Sequence, residues 1–150
     1  MKSDQERWDR RYEREPSSVP APDDFLVDHA HLLTAGRGLD VACGRGGNAL
    51  FLAEQGYRVD AVDVSFNAVA TLKVEAVKRS LDVRCFVADL DYYPLPTAYY
   101  DLVIVFYFFD PKLVPAIISS LRPGGLVVYA TYNYRHTSVK PEFKDRKSVV

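Results

Sequence analysis

The run "LDVACGRGGNA", residues 39–49, constrains this chain more than any other stretch: an apolar segment carrying one aspartate ends in three glycines within four positions. A backbone so poor in Cβ atoms turns tightly and lets another molecule approach it closely. From that point apolar stretches alternate with helical spacing. Candidate strands lie at 38–43, 58–63, 83–88, 101–107 and 126–132, and helical patterns at 47–55, 66–79 and 112–121. This order builds a parallel sheet with helices on both faces. The runs "DLVIVFYF" and "LVVYATY" are apolar at nearly every position, as strands buried on both faces require. The expected fold is α/β, a doubly wound parallel sheet of five strands.

With 150 residues, 48% of them apolar, the chain can bury one core. We expect one domain, 1–150, with a docking helix at 3–14, a sheet core at 38–132 and a polar tail at 133–150. Trp8 and Tyr12 stand four apart, so both aromatics face the same side of the first helix. "EPSSVPAP" reads as a loop, and "DDFLVDHAHLL" resumes helical spacing, with His29 and His31 as packing and surface residues. A formal net charge of -1 gives no footprint for nucleic acid or an anionic membrane. Cys43 and Cys85 form neither a disulfide framework nor a metal-ligand spacing, so no metal is expected and both thiols read as small buried residues. No apolar run has the length of a membrane span, and the charged start lacks the core of a signal peptide. The expected location is the cytoplasm.

In a doubly wound sheet the first strand-to-helix turn meets a ligand at the carboxyl end of the strands. Gly44 and Gly46 would let backbone pass close to it, and Asn48 and Ala49 begin a helix whose free N–H groups can face it. The second strand ends at Asp63, 19 residues beyond Gly44, where a carboxylate can accept from both hydroxyls of a ribose. The plain alternative is a tight turn with Asp63 capping a helix. Turn and acid together point to an adenosine-containing cofactor. "GRGGNA" also satisfies a dinucleotide fingerprint, so an NAD(P)-dependent oxidoreductase is the competing reading. Three features favour S-adenosylmethionine. Asp40 lies inside the first strand, where a carboxylate needs a cationic or hydrogen-bonding partner such as a ligand ammonium or the loop's own N–H groups. Asp89 ends the third strand, able to accept from an adenine amino group with Leu90 beside the ring. A Pro-Gly-Gly turn precedes the fifth strand.

"LDVACGRGGNALFLAEQGYRVDAVDVS", "VADLDYYPLP", "YDLVIVFYFFD" and "LRPGGLVVYATYN" resemble, in order, the cofactor motifs of the class I S-adenosylmethionine-dependent methyltransferases, a Rossmann-like fold. "WDRRY" and "YNYRHTSVKPEF" are similar to segments of the tellurite-resistance and thiopurine-type branch. The resemblance implies that Asp40, Gly44 and Gly46 hold the methionine portion, Asp63 the ribose, and Asp89 and Leu90 the adenine, with Ala42 and Val64 also among the cofactor-binding residues. Arg11 or Tyr12 would reach the cofactor carboxylate. Ala42 departs from the family by replacing the first glycine of the loop, a small-for-small exchange expected to leave the turn intact. Phe106 and Tyr107 are candidates for the reacting pocket, with core packing as the alternative for Phe106. Tyr107, Tyr132 and His136 are the candidate catalytic groups, and Arg135 a candidate for attracting an anionic acceptor. No tuned base is evident, which suits a thiol, selenol or metalloid oxyanion as the small-molecule acceptor. A non-catalytic cofactor-binding remnant is the remaining alternative. Members of this superfamily usually add an antiparallel hairpin after the fifth strand, and the tail reads as too polar for it. An open fifth-strand edge would then favour a homodimer, unless the chain is truncated.

Overall fold

The computed structural model describes residues 2–14, 18–132 and 139–141. Its centre is a six-stranded sheet in the order β3-β2-β1-β4-β5-β6. The strands are β1 (Gly36–Val41), β2 (Tyr57–Asp63), β3 (Val83–Val87), β4 (Tyr100–Phe106), β5 (Leu121–Tyr132) and β6 (Val139–Pro141). The first five are mutually parallel, and β6 runs antiparallel to β5. Helices α1 (Lys2–Arg14), α2 (Asp24–Asp28), α3 (Gly47–Glu54), α4 (Phe66–Lys78) and α5 (Val114–Ser120) complete the fold, with short 3-10 turns at Ala30–Leu32 and Pro111–Leu113.

The alternation of strand side chains divides the core in two. On one face Val59, Ala61, Leu102 and Ile104 meet Leu26 of α2, Leu50 and Leu52 of α3, and Leu72 of α4. On the other, Leu39, Val41, Val103 and Val105 meet Ile117 of α5. Each fully buried Leu, Ile or Val contributes about 1.5–3 kcal/mol relative to exposure, so these two layers hold the sheet. Local chemistry sets the helix starts. The Ser65 hydroxyl accepts from the Ala68 N–H (3.2 Å) and Asp23 Oδ1 from the Phe25 N–H (2.9 Å), each satisfying a donor that the first turn leaves unpaired.

The doubly wound sheet is as expected, and differences lie in its margins. The helix expected across 23–33 is α2 followed by a 3-10 turn, and β5 begins five residues early, at Leu121. The Pro-Gly-Gly segment is a bulge, where the register shifts between Tyr100 paired with Leu121 and Leu102 paired with Leu126. The stretch expected as a polar tail contains β6, which pairs Pro141, Lys140 and Val139 with Ala130, Thr131 and Tyr132. The end of the fifth-strand edge is thus covered over three residue pairs. Three residues are too few to show a strand's alternation, so nothing in "VKP" announced it.

Candidate functional site

The chain runs outward from β1 to β2 to β3, then crosses back to place β4 beside β1. The two βα turns at that reversal diverge and leave a crevice at the carboxyl ends of the strands. A cleft of about 910 Å³ opens there. It is lined by Asp40, Ala42, Cys43 and Gly44 after β1, Asp63 and Val64 after β2, Asp89 and Leu90 after β3, and Phe106 to Asp110 after β4. Trp8 and Arg11 of α1 close one side.

Asp40 alternates with Leu39 and Val41, so it points to the opposite face of β1, toward the start of α3. It is 2% exposed, and its Oδ2 has no hydrogen-bond partner among the described residues. Burial, reinforced by the nearby Asp63 carboxylate, pushes its pKa well above the ordinary carboxylate range, against a backbone hydrogen bond from Ala49. A buried carboxyl with an open acceptor is costly to keep unless something donates to it.

Asp63 ends β2 with both oxygens engaged: Oδ2 accepts from the Gly44 N–H and Oδ1 from the Ser65 N–H, each at 2.9 Å. It therefore fastens the glycine turn to the tip of the neighbouring strand. Burial raises its pKa, with those N–H groups opposing. A carboxylate offers about four acceptor sites, so capacity remains for a ligand hydroxyl. The turn itself passes through left-handed backbone at Ala42 (φ 58°), Gly44 (φ 56°) and Gly46 (φ 83°). A Cβ on Gly46 would collide with the Leu72 side chain. Ala42 does leave the turn closed, but in a conformation that disfavours any Cβ. Burial also raises the pKa of the Cys43 thiol, and both cysteines, expected as small buried residues, are half-buried.

Asp89 accepts at Oδ1 from the Asp91 N–H (3.0 Å), an Asx-type turn that presents the loop after β3, and Leu90 is half-buried beside it. Phe106 serves both readings, being 8% exposed in the core while also lining the cleft. Tyr107 is left-handed (φ 58°) and 40% exposed, an unusual state for a bulky residue. Its hydroxyl donates to Asp23 Oδ2 at 2.6 Å, while the Asp23 N–H donates to Asn48 Oδ1 at 2.8 Å. This Tyr107–Asp23–Asn48 link joins β4, α2 and α3 at the cleft mouth. Nothing in the sequence marks Asp23, because its role depends on a tyrosine 84 positions away. Asp9 was missed for the same reason, contacting Ser65 and Asn67 across α4's start.

Arg11 lies over the Trp8 ring, 4.9 Å from its centroid. The Tyr12 and Tyr132 side chains, Arg135 and His136 lie outside the described residues. His29 bonds the Phe25 carbonyl through Nδ1 (2.7 Å), and neither it nor His31 lines the cleft. Among the described residues no cluster suited to a metal ion occurs, and no helix is long and apolar enough to cross a membrane.

Residues 39–125 match the profile of a family described as methyltransferase domain. Hemagglutinin 1 of Eikenella corrodens is 40% identical over 94 residues, covering 58% of this chain and 31% of that protein. The probable S-adenosyl-L-methionine-dependent methyltransferase TehB of Haemophilus influenzae is 30% identical over 99 residues, covering 65% of this chain and 35% of that protein. Phosphoethanolamine N-methyltransferase 2 of Haemonchus contortus, solved with phosphomonomethylethanolamine and S-adenosylhomocysteine, superposes with a TM-score of 0.66 at 29% identity, covering 77% of this chain and 30% of that one. The chain thus spans about a third of the length of the two curated relatives.

Proposed function

The chain belongs to the methyltransferase-domain family, within the class I S-adenosylmethionine-dependent superfamily, and we propose that it transfers a methyl group from S-adenosylmethionine to a small-molecule acceptor. The observation that carries this reading is the buried Asp40 carboxyl, with one oxygen unpartnered beneath the glycine turn. A ligand ammonium fits that acceptor, and a nicotinamide dinucleotide has no such group to offer it. Asp40 would take the ammonium, Asp63 and Val64 the ribose, and Asp89 and Leu90 the adenine. Gly44 and Gly46 would admit the methionine portion, and Arg11, with Tyr12 as the second candidate, its carboxylate.

When bound, S-adenosylmethionine supplies a methyl group activated by a sulfonium and open to in-line displacement. The chain's own task is alignment and exclusion of water. Phe106, Phe108 and Phe109 give the β4 side an aromatic wall, which favours a reaction that disperses charge. The Tyr107 hydroxyl donates to Asp23, so a proton leaving the acceptor would pass to its oxygen as its own proton moves to the Asp23 carboxylate. Tyr132 and His136 remain candidates for the same task.

For the acceptor we favour a thiol, selenol or metalloid oxyanion, nucleophiles that need little help from a base near neutral pH. The likeness to TehB and the "WDRRY" helix against the cleft support the tellurite-resistance and thiopurine-type branch. A homodimer on the β5 edge has less support, since β6 occupies part of it. The test is calorimetry with S-adenosylhomocysteine and with NAD(P)H, followed by turnover on a thiol and metalloid panel. Binding of S-adenosylhomocysteine alone is expected. Binding of NAD(P)H alone would overturn the reading, and binding without turnover would leave a cofactor-binding remnant. Asp63→Ala is expected to weaken S-adenosylhomocysteine by about 1–3 kcal/mol, since it strips acceptors from ribose and from the turn together. An unchanged Kd would reject Asp63 as the ribose acid.

A further inference from the structure

Helix α1 forms one wall of the cleft, yet its sequence, KSDQERWDRRYER, offers no broad apolar stripe. Among its described side chains only Gln5, Trp8 and Asp9 are even half-buried. A helix of this length is marginal in water by itself, so its position over the cleft depends on a few specific contacts. The best defined is made by Asp9. Its Oδ1 accepts from the Ser65 hydroxyl at 2.6 Å and from the Asn67 N–H at 3.3 Å, while its carbonyl accepts from Asn67 Nδ2 at 3.4 Å. These donors stand at the start of the thirteen-residue helix α4, whose partial positive charge also favours a carboxylate.

Ser65 does not end the chain of bonds. Its hydroxyl caps α4 through the Ala68 N–H, and its own N–H donates to Asp63, whose other oxygen holds Gly44. A continuous path therefore runs from α1 through Asp9, Ser65 and Asp63 to the glycine turn. We propose that Asp9 is the latch of the cleft: a positioning residue that holds α1 across the nucleoside site and couples its closure to occupation of the turn.

The ligand arm of this inference rests on the S-adenosylmethionine reading, whereas the latch itself is read without ligand. The experiment uses the full chain as wild type, Asp9→Ala and Asp9→Asn. It follows tryptic cleavage at Arg7, Arg10 and Arg11 of α1, and at Lys73 and Lys78 of α4, by mass spectrometry with and without S-adenosylhomocysteine. Asp9→Ala should be cut about tenfold faster in α1 and no faster in α4, the size expected for losing a charge-assisted hydrogen bond. It should also bind S-adenosylhomocysteine about tenfold more weakly and gain less protection of α1 from it. Asp9→Asn keeps an acceptor oxygen for Ser65 and Asn67, so it should stay within about threefold of wild type in each measurement. Wild-type cleavage of α1 in Asp9→Ala would overturn the latch. So would equal acceleration in α1 and α4, which marks general loosening, or an Asp9→Asn rate matching Asp9→Ala. If wild type fails to bind S-adenosylhomocysteine, the cofactor reading falls while the ligand-free cleavage rates still decide the latch.

Discussion

Asp40 and Asp63 show how one residue type at two strand tips takes different burdens. Asp63 meets backbone donors on both oxygens, whereas Asp40 is more deeply buried and keeps one oxygen unsatisfied. The raised Asp40 pKa means that the folded chain retains a proton which the unfolded chain releases. Such a group favours folding fully below the ordinary carboxylate pKa, and its contribution is lost as pH rises from there toward the raised folded value. Asp40→Asn is therefore expected to be more stable than wild type at neutral pH, because an amide has no buried charge to ionise there. Its Tm should also fall less than wild type as pH rises above about 4. The same variant should bind S-adenosylhomocysteine about tenfold more weakly, having lost a charge-assisted partner for the ammonium. Thermal unfolding across pH, paired with calorimetry, checks both. A variant no stabler than wild type would mean that Asp40 is not carrying an unrelieved burial cost. This acid was legible in the sequence because a lone aspartate in an apolar strand is anomalous. Asp9 and Asp23 were not, because an aspartate in a polar segment has nothing local to mark it.

Among the elements, the turn after β1 was the most readable, since glycines at 44 and 46 declare a left-handed backbone that few other residues tolerate. Ala42 hides the same conformation behind an ordinary side chain. Its φ of 58° costs roughly 1–2 kcal/mol, and replacement by glycine returns part of that as freedom in the unfolded chain. Ala42→Gly should thus stabilise the protein by up to about 1 kcal/mol, seen as a raised denaturant midpoint with an unchanged slope. A lowered midpoint would show that the methyl group packs usefully. Element boundaries were less readable where hydrogen bonding decides them. The 3-10 turn after α2 continues an apolar pattern that looks the same in a helix or a turn, and the Pro-Gly-Gly segment reads as a turn before β5 although pairing with Tyr100 carries the strand back to Leu121.

Across the whole molecule, the two ends of the sheet do separate work. At the amino end Asp60 is buried, paired with Arg84 through two bonds (2.7 and 3.0 Å) and with the Tyr100 hydroxyl at 2.7 Å. These residues join β3, β2 and β4, crossing β1; the carboxylate raises the pKa of Arg84, and burial with help from the carboxylate raises that of Tyr100. Arg84→Ala would leave a buried acceptor short of its charged donor, a loss of about 1–3 kcal/mol, trimmed because the arginine is largely exposed. None of the three residues lines the cleft. The expected outcome is a lower Tm with an unchanged Kd for S-adenosylhomocysteine at a temperature where the variant is folded. A matching loss of affinity would show that the sheet transmits strain from one end to the other.

The alternation of strands and helices, the apolar strands and the acids at the strand tips follow from local pattern, because burial on a sheet imposes a periodicity that neighbouring residues record, whereas strand order is decided by long-range pairing. Asp9 over Ser65, Asp23 under Tyr107, β6 beside β5 and Asp60 under Arg84 depend on pairs separated by a helix or more of chain. Such contacts are chosen by packing in three dimensions, where a hydrogen bond is set by distance and direction rather than by sequence spacing.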